Sequence, residues 1–287
     1  TTAASGAAHE GQVRHVHGWL AERRPAAASE AGALMAAVSI EVLPDAEAVA
    51  RRGADLFVLA AQEAAARPAF TAALSGGQAP RPLYALLARW RLAQKIPWRR
   101  VHLYWGDERC VPPDSPDSNY GMAHEAFIRH VPIPGDNVHR MHGEDDPDEA
   151  ARAYERLLSQ PPALAASSPA GLPVLDFVLL GLGPDGHTAS LFPHSSVLSV
   201  ENRLVVVNQG EGTGPRLTMT YPVLNAARRV VFVVTGAAKA AIVAEVLEGP
   251  RAPKKIPAQG VAPVHGTVTW LLDEAAAGEL SEGARRI

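Results

Sequence analysis

Cysteine is nearly absent: Cys110 is the single one in 287 residues. No internal disulfide can form, which excludes a disulfide-stapled secreted scaffold and fits a reducing, cytoplasmic setting. An excess of charge of either sign is missing too, with 27 basic and 30 acidic residues and a formal net charge of −3. No basic field is therefore available for nucleic acid or an anionic membrane. Uncharged apolar stretches such as 230–238 fall far short of the roughly 20 residues a membrane helix needs. The N-terminal residues mix His, Glu and Arg without a continuous apolar stretch, so no signal peptide is expected. What is present is an ordinary globular composition, 47% hydrophobic and 20% charged, able to bury a substantial core.

Residues 1–34 show no sustained hydrophobic period and read as a loosely attached extension, with Met35 as an original initiator. His15 and His17 within it read as a solvated pair, not as metal ligands. Residues 35–287 are expected to form one domain, since no internal repeat and no convincing linker divides them. Short apolar runs predict strands over 40–43, 70–74, 101–105, 174–180, 204–207, 230–235 and 268–271. The 174–180 run is nearly continuous, as in a central strand covered on both faces. Helices are predicted over 45–66, 80–94, 119–130, 148–158 and 237–247. Asp45 is placed to cap the first, which carries Val49, Leu56 and Leu59 at helical steps, and Pro80 suits the first turn of the second. The Ala/Ser/Pro-rich segment 161–173 reads as a surface loop.

Strands alternating with helices predict an α/β fold with a largely parallel sheet and helices on both faces. Ligands of such sheets bind beyond the carboxyl ends of the strands. The glycine-rich or charged segments after residues 74, 105 and 180 should therefore meet at one edge.

The first segment is Ser75-Gly76-Gly77-Gln78-Ala79-Pro80. Its glycines let backbone N–H groups approach a phosphate at a helix start, and it serves equally as a tight turn. It is not a Walker loop, because the Gly-Lys-Ser/Thr ending is missing. The second is Asp107-Glu108-Arg109, continuing to Ser118-Asn119-Tyr120. Its two acids are expected to face away from the core. Arg109 suits a phosphate or a developing oxyanion, or else a solvated ion pair.

The third segment is Gly181-Leu182-Gly183-Pro184-Asp185-Gly186-His187-Thr188. It satisfies G-x-G-x-x-G literally, but Pro184 sits in the turn, Pro193 follows within a few residues, and Glu201 falls before the next strand. Those features exclude a dinucleotide site. What remains is a sharp turn exposing a carboxylate two residues from a histidine, which suits proton transfer near neutral pH. Arg216 and Lys239 are two further bases that either pair with a substrate phosphate or decorate the surface. His139 and His142 lack a third ligand at a recognisable spacing, so no metal is expected.

Together these segments resemble the 6-phosphogluconolactonase family, from about Ile40 to near the C-terminus. The resemblance rests on Asp107-Glu108-Arg109 with Ser118-Asn119-Tyr120, and on Gly181 through Pro193. Arg216-Leu217-Thr218 with Tyr221-Pro222-Val223-Leu224-Asn225, and Gly236-Ala237-Ala238-Lys239, carry it further. It implies a three-layer α/β/α, modified Rossmann-like fold shared with glucosamine-6-phosphate deaminases. It also implies cofactor-free hydrolysis of the phosphorylated sugar lactone 6-phospho-D-glucono-1,5-lactone. In that picture His187 is the general base, Asp185 orients it, and Arg109 and Lys239 hold the phosphate with the backbone of Gly76 and Gly77; Arg216 contributes. The family usually reads Ser-Gly-Gly-Ser-Thr-Pro in the first loop, where this chain has Gln78 and Ala79 and so lacks two hydroxyls.

Two rivals stand beside this reading. Deaminases of the same fold follow the histidine with Ile-Ala-Phe-Asn-Glu, where this chain has Phe192 in place of the acid, and they favour Tyr where it has Arg109. A non-catalytic sugar-phosphate sensor would need no Asp185–His187 pair.

Overall fold

In the computed structural model, which describes residues 37–163 and 171–285, the first strand β1 (Ala37–Leu43) leads into helix α1 (Ala46–Glu63). Asp45 caps that helix as expected, its carboxylate accepting the Ala48 N–H at 2.7 Å. β2 (Phe70–Leu74), α2 (Arg81–Leu87) and α3 (Trp90–Ala93) follow, then β3 (Val101–Trp105) and the short β4 (Asp107–Arg109). Next come α4 (Asn119–Ala126), α5 (Pro147–Leu158) and β5 (Phe177–Leu180). β6 (Val205–Gln209) and β7 (Pro215–Met219) form a hairpin, followed by α6 (Tyr221–Leu224) and β8 (Arg229–Val234). α7 (Ala240–Glu248), β9 (Thr267–Asp273) and α8 (Glu282–Arg285) close the described chain.

Six strands form one sheet in the order β1-β9-β8-β5-β2-β3, and every neighbouring pair is parallel. β2 and β5 are buried at every position because helices cover both sheet faces. Phe57 of α1 packs edge-on against Phe70 and Phe177 at 5.2 and 5.5 Å, geometry worth about 0.5–1.5 kcal/mol per pair beyond area burial.

The strand order decides where a ligand fits. From β2 the chain steps outward to β3; from β5 it steps the other way, to β8 and β9. The direction of winding therefore reverses between β2 and β5, and a crevice opens beyond their carboxyl ends. A small antiparallel sheet, β4-β7-β6, lies over that edge. Gly106 joins the sheets, its N–H donating to the Leu74 carbonyl at 2.9 Å and its carbonyl accepting from Met219 at 2.8 Å.

Several expectations are corrected. The 204–207 strand belongs to the small sheet, and the 107–109 segment is a strand, not a loop. The helix predicted over 80–94 breaks at Arg89, which takes extended backbone (φ −68°, ψ 133°) between α2 and α3. The helix expected over 119–130 stops at Ala126, with a single tighter turn over Ile128–His130. Leu59, which stands at helical steps with the buried Val49 and Leu56, is 44% exposed. The His15/His17 reading lies outside the described residues, as does part of the 161–173 segment. No helix among the described residues is long and apolar enough to cross a membrane.

Candidate active site

The segments after β2, β3 and β5 converge on one cleft of about 380 Å³. Gly76, Gly77, Arg109, His187, Arg216 and Lys239 all line it. Asp185 stands behind His187 and completes the group of residues singled out by sequence.

The turn after β5 is shaped around its histidine. The Gly183 N–H donates to the His187 carbonyl at 2.8 Å and the Gly186 N–H to the Gly183 carbonyl at 3.1 Å. Gly186 adopts φ +82°, a conformation that suits glycine. Gly183 is required for a different reason: a Cβ there would lie 2.0 Å from His187 Nδ1. The imidazole rests on the bare backbone of that residue. Its Nδ1 is 2.5 Å from Asp185 Oδ1, and the His187 N–H donates to the same oxygen at 3.2 Å. A carboxylate accepts only, so Nδ1 carries the hydrogen, and in the neutral ring the lone pair is on Nε2. Partial burial pushes the Asp185 carboxyl up, but the charge of His187 and hydrogen bonds from its backbone and ring outweigh that and hold it below its ordinary value.

The Phe192 ring lies 4.9 Å from the imidazole. Arg216 also packs on that ring, its guanidinium carbon 5.5 Å from the centroid.

Three cations, Arg109, Arg216 and Lys239, share the cleft with the histidine. Arg109 on β4 and Arg216 on β7 are direct cross-strand partners, so two like charges face each other across the small sheet. Such pairs are unfavourable unless an anion joins them. Burial, followed by the charge of Arg109, lowers the Arg216 pKa, although the guanidinium stays charged. Arg109 donates through Nη1 to the Asp117 carbonyl at 2.5 Å, while its Nε is buried without a partner. Lys239 reaches in from the turn after β8, its Nζ donating to the Leu182 carbonyl at 2.7 Å. Burial lowers its pKa, against the opposing pull of Asp185.

The first loop is anchored from behind. The buried Tyr84 hydroxyl donates to the Ser75 carbonyl at 2.7 Å and accepts its N–H at 3.0 Å. Gly77 adopts φ +91°, and Gln78 and Ala79 join the cleft lining. Gly76 leaves room for Asn119, since a Cβ there would come within 1.7 Å of the Asn119 Oδ1.

The acids of the second segment are buried, contrary to expectation: Asp107 and Glu108 are 5% and 2% exposed. Both are paired, which is what makes the burial tolerable. Glu108 accepts the Arg109 and Asn119 N–H groups at 2.8 and 2.7 Å, and the Tyr120 N–H and Ser118 hydroxyl at 2.8 and 3.1 Å. Burial still pushes its carboxyl up against the lowering effect of those amides. Asp107 accepts the Ser190 hydroxyl at 2.7 Å and the Asn119 amide at 3.2 Å, linking the second and third segments.

Sequence reasoning did not single out Gly183, Asn119 or Ser190 for these roles. The close approach at Gly183 had a hint in its glycine; the Asn119–Gly76 and Ser190–Asp107 contacts are purely tertiary. Among the described residues, no group of three or more His, Cys, Asp or Glu is arranged to hold a metal ion.

Similarity to known proteins extends over most of the chain. A family model described as glucosamine-6-phosphate isomerases/6-phosphogluconolactonase matches residues 44–270. A 6-phosphogluconolactonase of Nostoc sp. is 44% identical over 245 residues, covering 85% of this chain and 98% of that one. The solved structure of 6-phosphogluconolactonase from Trypanosoma brucei superposes with a TM-score of 0.74 at 31% identity, over 84% of this chain and 98% of that one. A monomeric glucosamine-6-phosphate deaminase shares the fold, with a TM-score of 0.69 at 22% identity over 84% of this chain and 99% of its own.

Proposed function

The chain belongs to the family of glucosamine-6-phosphate isomerases and 6-phosphogluconolactonases, and on that premise we propose that it hydrolyses 6-phospho-D-glucono-1,5-lactone to 6-phosphogluconate, as in the oxidative pentose phosphate pathway. The observation that carries the mechanism is the 2.5 Å pair of Asp185 and His187 facing a cleft lined by Arg109, Arg216 and Lys239. His187 Nε2 takes a proton from water as the water oxygen bonds to the lactone carbonyl carbon. The tetrahedral intermediate collapses, the ring C–O bond breaks, and the departing ring oxygen takes the proton back from the imidazolium. Asp185 keeps Nδ1 protonated and stabilises the imidazolium between the two steps. The cations, with the N–H groups of Gly76 and Gly77, anchor the phosphate and hold the carbonyl beside the base. No cofactor enters this scheme. Residues 35–287 act in it as one catalytic unit, and the unpaired Cys110 accords with a cytoplasmic setting.

Phe192 speaks against the deaminase alternative, because it replaces an acid with an apolar ring next to the imidazole. The test is turnover of freshly prepared lactone, corrected for spontaneous hydrolysis, by wild type and His187→Ala. The variant should retain 6-phosphogluconate binding and lose about 10²–10⁴-fold of the enzymatic rate. Unchanged turnover would remove His187 as the base, and ammonia release from glucosamine 6-phosphate without lactonase activity would overturn the whole assignment.

A further inference from the structure

The break between α2 and α3 has no cause in local sequence, since Leu87-Ala88-Arg89-Trp90 contains neither glycine nor proline. Its effect is specific. In an unbroken helix Trp90 would follow Leu83 and Leu87 at helical steps, on a stripe where those leucines are 1% and 0% exposed. With Arg89 extended, Trp90 instead turns outward and is 78% exposed. Leu59 on the neighbouring helix α1 is 44% exposed, so two of the three large exposed apolar side chains among the described residues sit on α1 and α3.

A groove of about 520 Å³ lies beside these helices, its apolar lining made by Leu86 at the end of α2 and by Trp90 and Leu92 of α3. Arg51, Arg89 and Arg91 line it against one acid, Asp55. Arg51 is paired with Glu47, whereas Arg89 and Arg91 have no carboxylate partner among the described residues. Unpaired arginines beside an exposed tryptophan are the composition of an interface hot spot. They stand out on a chain whose net charge is −3.

From these features we propose that the α1–α3 groove docks an acidic protein segment bearing bulky aliphatic side chains. The carboxylates would pair with Arg89 and Arg91 while an aliphatic side chain fills the groove beside Trp90. A lone polyanion would leave the apolar lining uncovered. The surface is remote from the cleft by topology: the crossover from β2 to β3 must return to the opposite edge of the sheet, and α3 lies at the end of that return.

The test uses the full chain and fluorescein-labelled peptides read by anisotropy: one alternating Glu and Leu, one alternating Lys and Leu, and one alternating Glu and Ser. A single-stranded RNA oligomer and phosphatidylserine vesicles complete the panel. The Glu/Leu peptide should bind with a Kd on the order of micromolar, and the other probes at least about tenfold more weakly. Trp90→Ser and Arg91→Glu should each weaken it about tenfold or more while leaving lactone turnover unchanged. Both residues are exposed, and circular dichroism would verify that the variants fold. Failure of the Glu/Leu peptide to bind, affinity unmoved by the variants, or preference for RNA or vesicles would overturn the proposal. So would self-association of the wild type that Trp90→Ser abolishes, since the occupant would then be a second copy.

Discussion

The tightest constraint in the cleft is the absence of a side chain at Gly183, and Gly183→Ala tests it. The added methyl would meet His187 Nδ1 at 2.0 Å and the adjacent ring carbon Cε1 at 2.1 Å. Favourable carbon contacts begin near 3.5 Å, so the imidazole would have to retreat by about 1.5 Å. A retreat along that line stretches or breaks the 2.5 Å contact with Asp185 and displaces Nε2 from the attacking water. A misplacement of about 1 Å in a reacting group costs on the order of 10²-fold in rate, about 2.7 kcal/mol of transition-state stabilisation. The cations and the Gly76–Gly77 loop are untouched, so product affinity should change by less than about threefold. The assay is steady-state lactone hydrolysis at several enzyme concentrations with spontaneous opening subtracted, alongside calorimetric titration of 6-phosphogluconate. Gly135→Ala is the control, because its Cβ meets open space, its φ is not in the left-handed region and it lies outside the cleft. If Gly183→Ala retained kcat within threefold of wild type, the close packing of His187 on Gly183 would not be what holds the base in place.

Three further outcomes are expected. Glu108→Ala would strand the Arg109, Asn119 and Tyr120 amides that now share its carboxylate, lowering stability by about 3 kcal/mol and Tm by roughly 6–12 °C in a calorimetric scan. Arg216→Gln should raise KM about tenfold with little change in kcat, and blunt the rise of KM with salt seen for wild type. The third concerns His139, which lies 3.0 Å from His102 and stacks on Tyr104 at 4.6 Å. Burial, then the charge of His102, pushes its pKa down to about 4. The unfolded chain takes up this proton near the ordinary value of about 6.5, so stability is full above that pH and declines as pH falls toward 4. After discount for partial exposure, the loss is about 1–2 kcal/mol. Urea denaturation from neutral to mildly acidic pH should show it, and His139→Gln should flatten that part of the profile.

The legible part of this molecule was local. Asp45 capping α1, the buried run of β5 and the glycine turn bearing Asp185 and His187 each declare themselves within a few residues. Strand alternation with helices also sufficed to place the cleft at the carboxyl edge. The small sheet was hidden because Asp107-Glu108-Arg109 has no strand propensity; it becomes a strand only because β7 pairs with it. Burial of Asp107 and Glu108 was hidden for a related reason. Ser190 and Asn119 are 83 and 12 residues from Asp107, Asn119 is 11 from Glu108, and only such bonds make a buried carboxylate tolerable. The outward turn of Trp90 left no trace in the chain, because its helical stripe continues unbroken through Leu83 and Leu87.

The hairpin that carries Arg216 bears on how this protein tolerates changes in length. Arg216 faces Arg109 only while β7 keeps its pairing with β4 on one side and β6 on the other. Side chains alternate along a strand, so a one-residue slip would turn Arg216 away from the cleft and bring Pro215 or Leu217 into its place. An insertion at the hairpin tip, around Glu211–Gly214, leaves both ladders intact and can lengthen the loop freely. A single-residue insertion or deletion between Arg216 and Met219 does not, because Met219 is tied to Gly106 and transmits the shift to the arginine. Two adjacent stretches of one hairpin thus differ in what lineage divergence or loop grafting can do to them: the tip is open to variation, and the strand beside it is closed.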